Sequence, residues 1–137
     1  MAAKVLTNAY IYLNGASNVS GFATKVELNV DVVELDSTTF GSGWTTNEGG
    51  LKSGSISIDF LDDYTASTGL DAILWPLLGS SVAFEIRTDS GTVSTSNPKW
   101  TGNVRISKLP AISGGVGELA KKSVTWPANG AVTRATS

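Results

Sequence analysis

The sequence predicts a mainly β protein, an antiparallel β-sandwich or half-barrel with one short α-helix and long loops. Three observations predict it. Apolar side chains recur at every second position in several segments, stretches rich in glycine, serine and threonine separate those segments, and a single stretch switches to the helical period. With 137 residues, 41% of them hydrophobic and 16% charged, the chain has the size and composition of one globular domain, so residues 1–137 are read as a single unit.

In chain order, AYIYLNG reads as a short opening strand. In KVELNVDVVEL the apolar Val26, Leu28, Val30 and Val32 alternate with Lys25, Glu27, Asn29 and Asp31, as in a strand with one buried and one wet face. The phase slips where Val33 and Leu35 flank Glu34, and an extra residue near Val32 and Val33, a β-bulge, would keep the apolar side inward. From Ala23 to Leu35 this strand would run about 44 Å at about 3.4 Å per residue, against a usual strand of about five or six residues. The stretch ELDSTTFGSGWTTNEGG that follows is too long for a hairpin turn. It has little evident means of folding on itself, and its part from Asp36 to Gly50 is expected to be mobile in an isolated chain.

SGSISIDF resumes the alternation, with Ile56, Ile58 and Phe60 against Ser55, Ser57 and Asp59. STGLDAILWPLLG departs from it: Leu70, Ile73, Leu74 and Leu77 stand at helical spacing, which predicts a short amphipathic helix at about 68–78. Ser67 or Thr68 would cap it, Pro76 would curtail its last turn and Gly79 would stop it. SVAFEIRT (Val82, Phe84, Ile86 inward), WTGNVRIS (Trp100, Val104, Ile106 inward) and the weaker LAKKSVTW (Val124, Trp126 inward; Lys121, Ser123, Thr125 outward) are further strands, and GAVTRA is a short last one. Apolar faces on so many strands pack most simply as two layers, with the helix plugging an edge or end.

Composition narrows the chemistry. Ten Lys and Arg against twelve Asp and Glu give a formal charge of −2, with no basic excess to grip a nucleic-acid backbone. Cysteine and histidine are both absent, which removes thiolate chemistry, the commonest general base and the commonest metal ligand. No apolar run approaches a membrane span, and a soluble protein made in the cytoplasm is expected. Asp59, Asp62 and Asp63 in DFLDDY lack the spacing of a calcium loop and read as a solvated strand end. Ser53, Ser55 and Ser57 have no histidine to activate them and no nucleophile elbow. SGGVGELAKK lacks phosphate-loop spacing and reads as a hairpin arm. No cofactor and no metal are expected. Trp75, Trp100 and Trp126 lie on or beside apolar faces and are read as core. Phe40 and Trp44 have no period to bury them, and a partner's surface explains them better. Long strands without protective prolines likewise leave edges that an assembly would pair.

These segments in this order resemble the major tail proteins, or tail tube proteins, of long-tailed bacteriophages. YLNGASNVSGFATKVEL is similar to the family's opening strand, polar link and second strand. DSTTFG resembles its acidic, threonine-rich loop entry, and GGLKSGSISIDFLDDY its glycine-led third strand ending in aspartates. LDAILWPLLGSSVAFEIR resembles the helix and following strand, and SNPKWTGNVRISKLP with GGVGELAKKSVTWPANGAVTRATS the closing strands. The resemblance implies a structural virion protein whose hexameric rings stack into a hollow tube, each subunit giving paired long strands to a continuous barrel through which phage DNA passes to the host. It implies assembly in the host cytoplasm, location in the virion tail, and tape-measure, tail-terminator and tail-tip proteins as partners beside further copies of the chain.

Within that frame Asp36, Thr39, Phe40, Gly41, Trp44, Gly49 and Gly50 are expected to contact another subunit or ring. The strand carrying Ala23–Leu35 should pair across the ring with a late strand, around Trp100–Lys108 or Lys121–Trp126. The wet faces should line the lumen through Lys25, Glu27, Asn29, Asp31, Ser55, Ser57, Asp59, Thr101, Asn103, Arg105, Ser107, Lys121, Ser123 and Thr125. Their charges nearly balance, as a conduit for DNA requires. Two other readings stand beside this one: a monomeric β-sandwich that binds carbohydrate or peptide through Phe40 and Trp44, and a small hydrolase built on the aspartates.

Overall fold

The computed structural model describes residues 5–13 and 17–137. The start of the chain and part of the polar link after the first strand, Asn14 to Ala16, lie outside the described residues. Among the described residues, eight strands and one short helix follow in the order β1 (Tyr10–Leu13), β2 (Ser17–Asn18), β3 (Ala23–Asp36), β4 (Asn47–Leu61), α1 (Leu70–Leu74), β5 (Ser81–Arg87), β6 (Lys99–Arg105), β7 (Lys121–Pro127) and β8 (Thr133–Ala135). They form two antiparallel sheets, β2-β1-β5-β6-β8 and β3-β4-β7. The expected mainly β, antiparallel two-sheet architecture with one short helix is therefore present, without a closed barrel.

The core lies between the sheets. Ile11 and Leu13 of β1, Val82, Phe84 and Ile86 of β5, and Val104 of β6 face Ile56, Ile58 and Phe60 of β4 and Val124 and Trp126 of β7, and all are buried. Alternation predicts these positions on β4, β5, β6 and β7, because each sheet has one dry face. Beyond β7 the chain crosses from one sheet to the other: the Ala128 N–H donates to the Gly54 carbonyl at 2.8 Å, and the Asn129 N–H donates to the Asn103 carbonyl of β6 at 2.8 Å. This crossing joins the layers at one corner and gives the sandwich its half-barrel character.

Leu70 and Leu74 of α1 are buried and close one end of the core, with Ile73 and Leu77 packed beside them. The helix is shorter than the expected 68–78 and passes at Trp75–Leu77 into a 3₁₀ turn containing Pro76, since proline cannot donate the next helical bond. Neither Ser67 nor Thr68 caps it. Gly69 is the N-cap, without a side-chain bond, and the Asp71 N–H donates instead to the Asp63 carbonyl at 3.1 Å. Gly79, at φ +86°, stops the segment as expected, in a region other residues enter at a cost.

The tryptophans divide. Trp126 is buried and its indole N–H donates to the Lys108 carbonyl at 2.8 Å, Trp100 is half-buried, and Trp75 is 54% exposed. Reading Trp75 as core is thus corrected. Helical spacing places it off the Leu70, Ile73, Leu74, Leu77 stripe, on the solvent side.

Candidate assembly surfaces

β3 and β4 form one hairpin, paired from Ala23↔Phe60 to Asp36↔Asn47. A register shift does lie between Val32 and Glu34, but its extra residue is on β4, where Gly50 and Leu51 oppose Val33. The expected extra residue on β3 near Val32 and Val33 is thus corrected, and the alternation of β3 runs on through the slip. A second shift, between Ala23 and Lys25, has its extra residue, Thr24, on β3. The bulge does not bury the apolar side beyond it. Val30, Val32, Val33 and Leu35 are each about half exposed and Leu51 is 85% exposed, because this half of the hairpin extends past the sheet that would cover it.

The segment expected as a loop from 36 to 50 is shorter. Asp36, Gly49 and Gly50 belong to the strands, and only residues 37–46, with Thr39, Phe40, Gly41 and Trp44, form the tip. Nor does the tip lack internal bonds. The Ser37 hydroxyl meets that of Thr46 at 2.9 Å, the Thr46 N–H donates to the Thr38 hydroxyl at 2.9 Å, and the Ser42 hydroxyl donates to the Trp44 carbonyl at 2.7 Å. Short hydroxyl side chains bond neighbouring backbone readily, so the threonines and serines that made this stretch look unstructured are what lace it. Gly41, at φ +87°, supplies the turn. The Thr38 hydroxyl and its backbone N–H, which donates to Asp36 Oδ1 at 2.9 Å, hold the Asp36 carboxyl below the usual carboxylate range. Phe40 and Trp44 remain fully exposed at the tip.

The outer face of β3-β4-β7 gathers ten of the residues expected to line a channel. Lys25, Asp59 and Ser123 form one row across β3, β4 and β7 and Glu27, Ser57 and Thr125 the next, Asn29 stands opposite Ser55, and Asp31 and Lys121 extend the face at either end. Bonds within the face include Asn29 Nδ2 to Glu27 Oε1 at 3.0 Å and the Ser57–Thr125 hydroxyl pair at 3.0 Å. Lys25 and Lys121 against Glu27, Asp31 and Asp59 give +2 −3 = −1 on this face. Thr101, Asn103 and Arg105 are not brought here. They lie on β6 in the other sheet, opposite Glu85, Ala83 and Ser81, and Ser107 follows that strand. The outer faces of a two-layer sandwich point apart, so alternation identified both wet faces without separating them.

In the three-stranded sheet both outer strands, β3 and β7, have an open edge, whereas β6 sits between β5 and β8. Among the described residues, of the two late segments expected to pair with β3 of another copy, β7 is the one at a sheet edge. Within β7 lies a buried charge: Lys122 shares the inward phase of Val124 and Trp126. Its ammonium meets Asp62 Oδ2 at 2.5 Å and the Ala111 carbonyl at 3.1 Å, and the Tyr64 hydroxyl donates to the same carboxylate oxygen at 2.7 Å. That bond to Asp62 raises the Tyr64 phenol above its usual range. The DFLDDY carboxylates thus diverge: Asp59 lies on the outer face, Asp62 pairs with Lys122, and Asp63 accepts the Thr65 hydroxyl at 2.6 Å, which holds its carboxyl below the usual carboxylate range. Among the described residues no group of three or more His, Cys, Asp or Glu is placed to hold a metal ion, and no helix is long and apolar enough to cross a membrane.

The fold is shared with proteins of phage-like particles. A chain in the virion of a native gene transfer agent particle superposes with a TM-score of 0.75 at 15% identity, over 97% of this chain and 99% of its own. A chain in the tail of an empty gene transfer agent particle, a tail of C6 symmetry, superposes with a TM-score of 0.69 at 18% identity over 92% of both. No family model matches the sequence, and no curated protein matches it. The class defined is therefore a fold, that of gene transfer agent virion and tail chains, spanning nearly the whole molecule. At these identities the likeness fixes architecture and leaves the role to be argued from the surfaces.

Proposed function

We propose that the chain is a structural tail protein of a phage or phage-like particle, the subunit of sixfold rings that stack into a hollow tube through which DNA leaves the virion. The observation that carries this reading is the half-uncovered hairpin. A monomer gains nothing from extending β3 and β4 past their sheet with Val30, Val32, Val33 and Leu35 bare to water, and apolar surface of that kind is stabilised by a partner. Further copies are the partner that also satisfies the two open edges, β3 of one subunit pairing with β7 of the next so that exposed N–H and C=O groups no longer rely on water. The near-whole-chain likeness to gene transfer agent virion and tail chains supports it.

In this arrangement the β3-β4-β7 outer face lines the channel. Its charge of −1 per subunit, from +2 −3, offers DNA no basic wall. Each phosphate neutralised would add salt-sensitive affinity that repeats at every ring and holds the passing duplex. The β6 set faces elsewhere. The role is structural rather than enzymatic, and tape-measure, terminator and tip proteins would meet the tube at its bore and ends.

Negative-stain imaging of concentrated protein, with and without a tail-tip initiator, tests the proposal. Rings or tubes are expected. Protein that stays monomeric under both conditions, or binds sugar or peptide through Phe40 and Trp44 as a monomer, contradicts it.

A further inference from the structure

The sandwich is open along β3. Val26, Leu28 and Val30 from β3 line an apolar groove of about 260 Å³ together with Ile86 of β5, Trp100 of β6 and Leu6. That volume is below the 300–1,000 Å³ usual for small-molecule pockets and suits one or two aromatic side chains. The same molecule carries two aromatic groups without a home, Phe40 and Trp44 at the hairpin tip. They cannot reach the groove of their own chain. The ladder from Asp31↔Ser53 to Asp36↔Asn47 holds the tip away from Val30 by about 20 Å, at about 3.3 Å per residue.

Resting on the stacked-ring reading, we propose that this groove is the acceptor for Phe40 and Trp44 of a copy in the adjacent ring. Charge favours the match. Residues 33–51 carry Glu34, Asp36 and Glu48 and no lysine or arginine, while Arg134 is exposed directly across the ladder from Trp100, and Arg87 forms part of the groove wall. Arg87 is partly committed, since it pairs with Glu85 at 2.6 Å and stacks 4.7 Å from the Tyr10 ring. Arg134 is accordingly the cation placed to meet the incoming carboxylates or an indole face. A tip-into-groove contact is heterologous: every copy keeps one tip and one groove free for the next, so the contact propagates along an axis instead of closing into a dimer.

The sequence contains no cysteine, so single thiols can be introduced cleanly. Thr45→Cys places one beside Trp44 without removing it, and Ala9→Cys places one on the groove wall. The two variants are mixed, assembled and treated with a short bismaleimide. Mixed dimers, one copy of each variant joined through the two introduced thiols, are expected in the tube fraction, absent from unassembled protein and from unstacked rings, with neither variant alone giving dimers. Tubes without the mixed product, cross-linking already present in unstacked rings, or homodimers of the Ala9→Cys variant would each overturn the groove assignment while leaving the tube reading in place. Failure of the wild-type protein to form rings or tubes would instead remove the reading on which it rests.

Discussion

The ammonium of Lys122 lies 2.5 Å from the Asp62 carboxylate with both side chains wholly shielded from solvent. The pair ties the end of β4 to β7, and through the Ala111 carbonyl it also fixes the connection between β6 and β7. Each partner satisfies a charge that would otherwise be stranded in the interior.

Lys122→Met is therefore expected to destabilise the fold by about 3–5 kcal/mol, because it leaves the Asp62 carboxylate buried and unpaired. Lys122→Met combined with Asp62→Leu should recover most of that loss, since an apolar pair of similar volume carries no desolvation cost. Urea melts of the three proteins decide it. Equal stability of the single variant and wild type would mean that water reaches the pair.

At the hairpin tip, Phe40→Ala with Trp44→Ala should leave the urea midpoint within about 0.5 kcal/mol of wild type, the range for surface changes away from packed features. Polymerisation, followed by light scattering and sedimentation, should fall sharply. Tubes forming from the double variant at the wild-type rate would show that the tip is not a gripping element.

Much of this was legible in the sequence. Period-two alternation placed Ile56, Ile58, Phe60, Val82, Phe84, Ile86, Val104, Val124 and Trp126 inward, and all are buried. The slip at Val33 marks a register shift, but the extra residue belongs to β4, opposite Val33, where the pattern of β3 alone could not place it. Alternation could not say that cover stops near Val30, because a strand's pattern records which side is apolar and not how far the opposing sheet extends. For the same reason Arg105 and Lys25 looked alike although they lie in different sheets. The stretch from Asp36 to Gly50 looks unsupported in the sequence because hydroxyl lacing depends on which residues turn toward one another across the hairpin, a relation that linear spacing does not contain. Lys122 stood in the inward phase, but its partner Asp62 is remote in the chain.

Acid should loosen the tip. Asp36 is held below the usual carboxylate range by Thr38, so its carboxylate contributes fully above about pH 4, the ordinary aspartate value, and that contribution is lost as pH falls through the lowered one. A carboxyl-carbon NMR titration should give Asp36 a higher midpoint in Thr38→Val, where the hydroxyl is gone and the backbone N–H remains. An unchanged midpoint would mean that the hydroxyl does not support the carboxylate.

On the channel face, Glu27→Lys with Asp31→Lys shifts the charge from −1 to +3 per subunit, by 2 × 2 = 4. Particles carrying these tubes should assemble yet deliver DNA poorly, with the defect relieved by salt as phosphate contacts are screened. Normal delivery at low salt would place those residues away from the DNA.

A density map of tubes grown from the purified protein tests the central claim most directly. Sixfold rings are expected, with β3 of each subunit beside β7 of its neighbour and Glu27, Asp31, Ser57 and Thr125 facing the lumen. A tube with those four side chains on its exterior, or one whose rings join through the β6 sheet, would contradict it.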